Sequence, residues 1–215
     1  GLPEYEHIPG LFGDGTGEPD PRVASLRVLG VDAAQLETWT RSHGGDAASK
    51  YARLAQIDRA NVARLEPAWG FDGEAAKLRG AGRWRRTAQA APRVGRTLYA
   101  ATAQDTLVAL DAKTGALRWE FVPRAVPARR GLVHWAGNGR TGPRLFLVAG
   151  VELLALDPAD GALVPSFGDG GSVAIGEATA APAVVGDRLV ATTNAPATVR
   201  AFDVETGREL WHTPL

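Results

Sequence analysis

Asp111, Asp157 and Asp203 stand 46 residues apart and are the side chains whose type and spacing first invite a chemical reading. An aspartate can act as a general base, but the phase of these three argues for turns. Each opens a five-residue phrase: Asp111-Ala-Lys-Thr-Gly115, Asp157-Pro-Ala-Asp-Gly161 and Asp203-Val-Glu-Thr-Gly207. Within it the carboxylate can accept hydrogen bonds from turn amides, and the glycine takes a positive φ at little steric cost. His7, His43, His134 and His212 show no metal-ligand spacing. Of the four, His134 is the one to watch for ligand contact. Asp14, Glu18 and Asp20 are close together but lack the glutamate and the spacing of a calcium loop. Arg83, Arg85 and Arg86 flank Trp84, an arrangement open to anion binding or to a solvated loop. The absence of cysteine removes disulfides, thiolate catalysis and cysteine metal sites. No nucleotide-binding glycine loop and no nucleophile elbow occur.

The elements that carry these residues repeat. Residues 108–119, 154–165 and 200–211 are versions of one sentence, an apolar strand followed by the Asp-to-Gly turn and a return strand. Upstream of each lies another apolar segment introduced by Pro92, Pro143 or Pro182. Two hairpins per period make four strands, the content of one propeller blade. The fold class is therefore all-β, a propeller of four-stranded antiparallel blades, with about three to four blades over residues 36–215 behind a polar lead at 1–35. So few blades cannot close a ring of the usual four to eight or so. The remaining blades are expected on a second chain or in a missing segment; an open arc is the alternative. Trp119 and Trp211 read as packing between blades, and Pro165 at the same repeat position is expected to loosen one such contact. Asp58 should cap a short helix through Leu65, with Val62 and Leu65 inward and Pro67 ending it. Trp69-Gly-Phe71 should begin a strand.

Composition narrows the partners. With 24 basic and 24 acidic residues the chain has no field to draw nucleic acid or an anionic membrane, and it suits a small-molecule ligand. Its longest apolar run, residues 145–156, is too short to span a bilayer. The chain opens on Gly1 without an initiator methionine, so prior removal of a targeting peptide is an expectation.

Residues 39–69 add a Gly44-Gly-Asp46 turn, Tyr51-Ala-Arg-Leu54, Gln56-Ile-Asp-Arg-Ala-Asn-Val62 and Ala68-Trp69. Together with Arg130-Gly-Leu-Val-His-Trp135, Pro165-Ser-Phe-Gly-Asp-Gly-Gly171 and the three repeats, this ordered set resembles the pyrroloquinoline quinone (PQQ) dependent alcohol and glucose dehydrogenases. The resemblance covers roughly residues 36 to 215. It implies the N-terminal part of an eight-bladed propeller in the periplasm, with PQQ on the central axis beside calcium or another metal ion. It also implies oxidation of an alcohol or sugar by hydride transfer to the quinone, and a periplasmic electron acceptor. PQQ carries three carboxylates and ring oxygens, so it needs cations and hydrogen-bond donors.

By the same resemblance Arg130 is a cofactor contact. Gln89 stands where the family usually has glutamate; it can hydrogen-bond but supplies no charge. Thr193 replaces a serine hydroxyl in a Ser-x-x-Glu step, and Pro196 takes the place of the glutamate, so the expected metal carboxylate is missing. The family's catalytic aspartate belongs to later blades, which leaves no catalytic residue assigned in this chain. A second reading, a non-catalytic propeller of the same family serving as a binding scaffold, is favoured by Gln89 and Pro196.

Overall fold

The computed structural model describes residues 39–40, 57–71, 92–102, 104–178 and 180–215. Among them every regular element but one short turn is a strand. Blade 1 contains β1 (Arg93–Val94), β2 (Thr97–Ala101), β3 (Leu107–Asp111) and β4 (Leu117–Phe121). Blade 2 contains β5 (Pro127–Trp135), β6 (Arg144–Ala149), β7 (Glu152–Leu156) and β8 (Ser172–Ala174). Blade 3 contains β9 (Ala183–Val185), β10 (Arg188–Asn194), β11 (Ala197–Asp203) and β12 (Glu209–Pro214). Each is a four-stranded antiparallel meander in chain order.

The three Asp-to-Gly turns are superimposable in their bonding. The amides of Gly115, Gly161 and Gly207 donate to the carbonyls of Asp111, Asp157 and Asp203, and those aspartates' amides donate to Ala116, Ala162 and Arg208. The glycines sit at φ of 74°, 76° and 71°, where an L side chain is strained. In blades 1 and 3 a one-residue bulge follows, so that Ala109 faces Trp119 and Ala201 faces Trp211. Blade 2 departs from this pattern because Pro165 has no amide to give a ladder. Its return strand makes a single bridge, Leu156 to Leu163, and the fourth place is taken by β8 after a loop.

Two apolar cores join the blades. Tyr99, Leu107, Ala109 and Trp119 of blade 1 meet Leu132, Leu145, Leu147, Leu154 and Leu156 of blade 2. Phe146, Val148, Leu153 and Ala155 of blade 2, with Phe167, meet Leu189, Ala191, Phe202 and Val204 of blade 3. Strand β6 is buried along its whole length because alternate residues serve opposite cores. At about 2 kcal/mol for each fully buried leucine-sized side chain, these faces hold the stack together.

At each joint a group lies over the turn glycine of the blade it meets. The Trp69 indole covers Gly115 and donates to the Ala112 carbonyl at 3.2 Å. The Trp119 indole covers Gly161 and donates to the Pro158 carbonyl at 3.1 Å, an oxygen that also accepts from Tyr99 Oη. At the third joint, where the repeat has Pro165, the contact is not loosened. Phe167 and Val173 pack on Gly207, and Arg144 Nη1 donates to the Val204 carbonyl at 3.0 Å.

The segment before blade 1 is shorter than its sequence suggests. The helix expected from Asp58 through Leu65 is a 3-10 turn, Val62–Arg64, whose N-cap is Asn61 and lacks a side-chain cap bond; the Asp58 carboxylate instead accepts from the amides of Ala60 and Asn61 in the turn before it. Val62 and Leu65 are exposed, because three residues of 3-10 helix offer no face broad enough to pack. Residues 69–71 are not in a strand; Trp69 acts through its side chain instead.

Candidate functional site

The first strands of blades 2 and 3, β5 and β9, approach one another, which puts them on the side where the sheets converge. Arg130 lies on this side. Between the pairs Pro127–Ala149 and Leu132–Leu147, β5 advances five residues while β6 advances two, and Arg130 and Gly131 sit in the resulting bulge. Gly131 is required there, since a Cβ would stand 2.9 Å from both Ala128 Cβ and the Val148 carbonyl oxygen. The bulge leaves Arg130 exposed, without a carboxylate partner among the described residues. Its carbonyl accepts from the Ala181 amide at 2.5 Å, beside a parallel bridge to Ala180.

The segment 175–181 connects this point to Thr193. Its Glu177 carbonyl accepts from the Asn194 amide at 2.8 Å, and Gly176 packs near the Thr193 methyl. Arg130 and Thr193 thus lie at the two ends of one short connection. Their chemistry differs. Thr193 is buried at 4% exposure and its hydroxyl donates to the Pro196 carbonyl at 2.7 Å, so its proton is already committed. Gln89 lies outside the described residues.

His134 follows on β5, two residues beyond Leu132 and on the same face. Its amide donates to the Thr40 carbonyl, while the ring Nδ1 is buried with no partner among the described residues. Burial lowers its pKa from 6.5 to about 4, so the ring is neutral at ordinary pH.

The described residues do not fit a calcium ion. No group of three or more histidine, aspartate or glutamate side chains converges among the described residues. Pro196 has no ligating side chain, Thr193 is turned inward, and Glu177 and Asn194 alone make a poor hard-cation site. The repeat aspartates are engaged in their turns. Asp111 accepts from Lys113 and Thr114 and pairs with Arg118 at 2.6 Å, which holds its carboxyl far below the usual carboxylate range. Asp203 accepts from Glu205 and Thr206. An exposed guanidinium fits a carboxylate-bearing ligand, and Arg130 is that group here.

Arg144 is the residue the sequence reading missed. The Arg144 side chain is buried at 5% exposure and also donates to the Glu205 carbonyl at 2.5 Å. Nearby, the Glu205 carboxylate accepts from Thr141 Oγ1 at 2.6 Å and Asn138 Nδ2 at 2.7 Å, contacts that lower its pKa and tie the β5–β6 loop to blade 3. The available signal was an arginine directly after Pro143 in the one repeat without its tryptophan.

Residues 39–213 match the family model for the β-propeller domain of PQQ-dependent glucose, ethanol and alcohol dehydrogenases. The chain is 28% identical over 196 residues to methanol dehydrogenase (cytochrome c) subunit 1 of Methylobacterium organophilum, covering 81% of this chain and 30% of that one. It is 30% identical over 185 residues to the dehydrogenase subunit of the quinone alcohol dehydrogenase of Gluconacetobacter polyoxogenes, covering 75% of this chain and 23% of that one. Among solved structures a europium-containing methanol dehydrogenase aligns with a TM-score of 0.63 at 23% identity, over 85% of this chain and 32% of that one. The chain thus spans less than a third of the length of these relatives, and over that span it belongs to the PQQ-dependent dehydrogenase β-propeller family.

Proposed function

We propose that this chain is the N-terminal portion of the propeller of a periplasmic PQQ-dependent dehydrogenase that oxidises an alcohol or a sugar. The observation that carries the reading is Arg130, held exposed in the β5 bulge on the converging side of the blades. PQQ, when bound, supplies the hydride acceptor. Arg130 would grip one of its carboxylates through two parallel hydrogen bonds, and Gln89 would donate from its amide to a ring oxygen. Thr193, buried with its hydroxyl proton on the Pro196 carbonyl, would back this wall of the site without donating to PQQ. The base that takes the substrate hydroxyl proton would come from further blades, which also complete the wall of the site.

Titration of PQQ into the protein, followed by quenching of tryptophan fluorescence, tests this. Arg130→Ala should weaken binding by about 2 kcal/mol or more, the scale of a charge-assisted pair, and Arg130→Lys should recover part of it. Unchanged affinity in Arg130→Ala would overturn the assignment. The second reading, a binding scaffold without catalysis, draws support from the missing metal carboxylate at Pro196 and the inward-turned Thr193 hydroxyl. PQQ-independent binding of a protein partner with no dehydrogenase activity would favour it.

A further inference from the structure

Among Asn61, Asn138 and Asn194, Asn138 alone is followed by glycine. It stands in the β5–β6 loop, residues 136–143, and its side chain is gripped at both ends. Oδ1 accepts from the amides of Arg140 at 3.2 Å and Thr141 at 3.0 Å. Nδ2 donates to two carboxylates of blade 3, Glu205 at 2.7 Å and Asp187 at 3.2 Å. The Gly139 amide, next in the chain, donates to no group among the described residues. With φ of 85°, no side chain and nothing within 4 Å of where a Cβ would be, Gly139 leaves its nitrogen open to approach.

We propose that Asn138 is a self-catalysed deamidation site whose product unfastens the β5–β6 loop from blade 3. Hydroxide removes the Gly139 amide proton, and the nitrogen attacks Asn138 Cγ. That new C–N bond closes a succinimide ring. The bond from Cγ to Nδ2 breaks, and Nδ2 takes a proton from water and leaves as ammonia. A second water opens the ring to aspartate or isoaspartate, so no oxidant, reductant or cofactor takes part. Negative charge develops on Oδ1 during the attack, where two amides already point. Positive charge develops on Nδ2 as it is protonated to leave, where two carboxylates already stand. The product sets a third carboxylate against Glu205 and Asp187, exchanging two hydrogen bonds for like-charge repulsion. Thr141 and Arg140 are then the loop's remaining side-chain contacts to Glu205. Nothing in this chemistry involves PQQ.

Incubation of the protein in mildly alkaline buffer at physiological temperature, followed by peptide mass spectrometry that separates asparagine, aspartate and isoaspartate forms, tests the site. Asn138 should convert while Asn61 and Asn194 persist, and it should convert faster in folded protein than in protein held unfolded in guanidinium chloride. Glu205→Gln keeps a hydrogen-bond acceptor but removes its charge, and should slow conversion severalfold. If an exposed Asn-Gly pair sufficed, a looser loop would leave the rate equal or raise it. A folded rate at or below the unfolded one, or a Glu205→Gln rate at or above that of the parent, would overturn the site. Should Glu205→Gln not fold, Asp187→Asn makes the same comparison. Trypsin reads the unfastening separately. Asn138→Asp should be cut after Arg140 severalfold faster than the parent, and equal cutting would reject release of the loop.

Discussion

Arg144 donates to the carbonyl of Val204 at 3.0 Å, the same repeat position at which Trp119 donates to Pro158 and Trp69 to Ala112. One joint is thus built from two chemistries. The indole supplies apolar cover and a donor in one side chain; Phe167 and Arg144 divide those duties, with the guanidinium 6.0 Å from the Phe167 ring centre. Replacing Arg144 by leucine would leave the Val204 carbonyl without its charged donor. We expect a loss of roughly 2–3 kcal/mol, seen as a lower urea midpoint at unchanged slope, with Arg144→Lys intermediate. A loss below about 0.5 kcal/mol, typical of surface substitutions, would show that Phe167 suffices.

Glycine at the turn serves two purposes that substitution can separate. Gly161 has φ of 76° and a Cβ there would stand 2.5 Å from the Trp119 ring, whereas Gly186 has φ of 58° with nothing within 4 Å. Gly186→Ala should cost only the backbone term, about 1 kcal/mol. Gly161→Ala should cost about 3 kcal/mol because it also displaces the indole, and should raise the acrylamide accessibility of Trp119. Equal costs in denaturant titrations would reject the close contact.

His134 should make stability depend on pH. Its folded pKa is about 4 against 6.5 unexposed to burial, so between those values the unfolded chain takes up a proton that the folded chain refuses. Its contribution is complete above about pH 6.5 and is lost as pH falls toward 4, by roughly 2–3 kcal/mol. Urea midpoints measured from pH 7 to pH 4.5 should decline less steeply in His134→Phe. Parallel curves would show that His134 finds a proton acceptor in the folded state.

Calcium should leave these blades unaffected. With Pro196 in place of a carboxylate and Thr193 bonded to its own turn, millimolar calcium or lanthanum should not shift the thermal midpoint of the chain. A ligand at a hundred times its Kd would add about 2.7 kcal/mol. A rise of several degrees would mean that ligands outside the described residues assemble a site.

The repeat was legible in the sequence because its signals are local. A strand reads as alternation, and the 111–115, 157–161 and 203–207 turns read as an aspartate four residues before a glycine. The family was legible for the same reason, through short phrases in fixed order such as Arg130 to Trp135. Contacts between blades depend on residues far apart in the chain, and these only the tertiary structure decided. It gave Trp69 a docking role in place of a strand, exposed Val62 and Leu65, and set Arg144 and Phe167 where Pro165 had suggested a loosened contact. It also showed that Thr193, matched by its type to a donor, spends its proton on Pro196 three residues away. A hydroxyl's identity is written in the sequence, but the direction of its hydrogen bond is set by the fold that buries it.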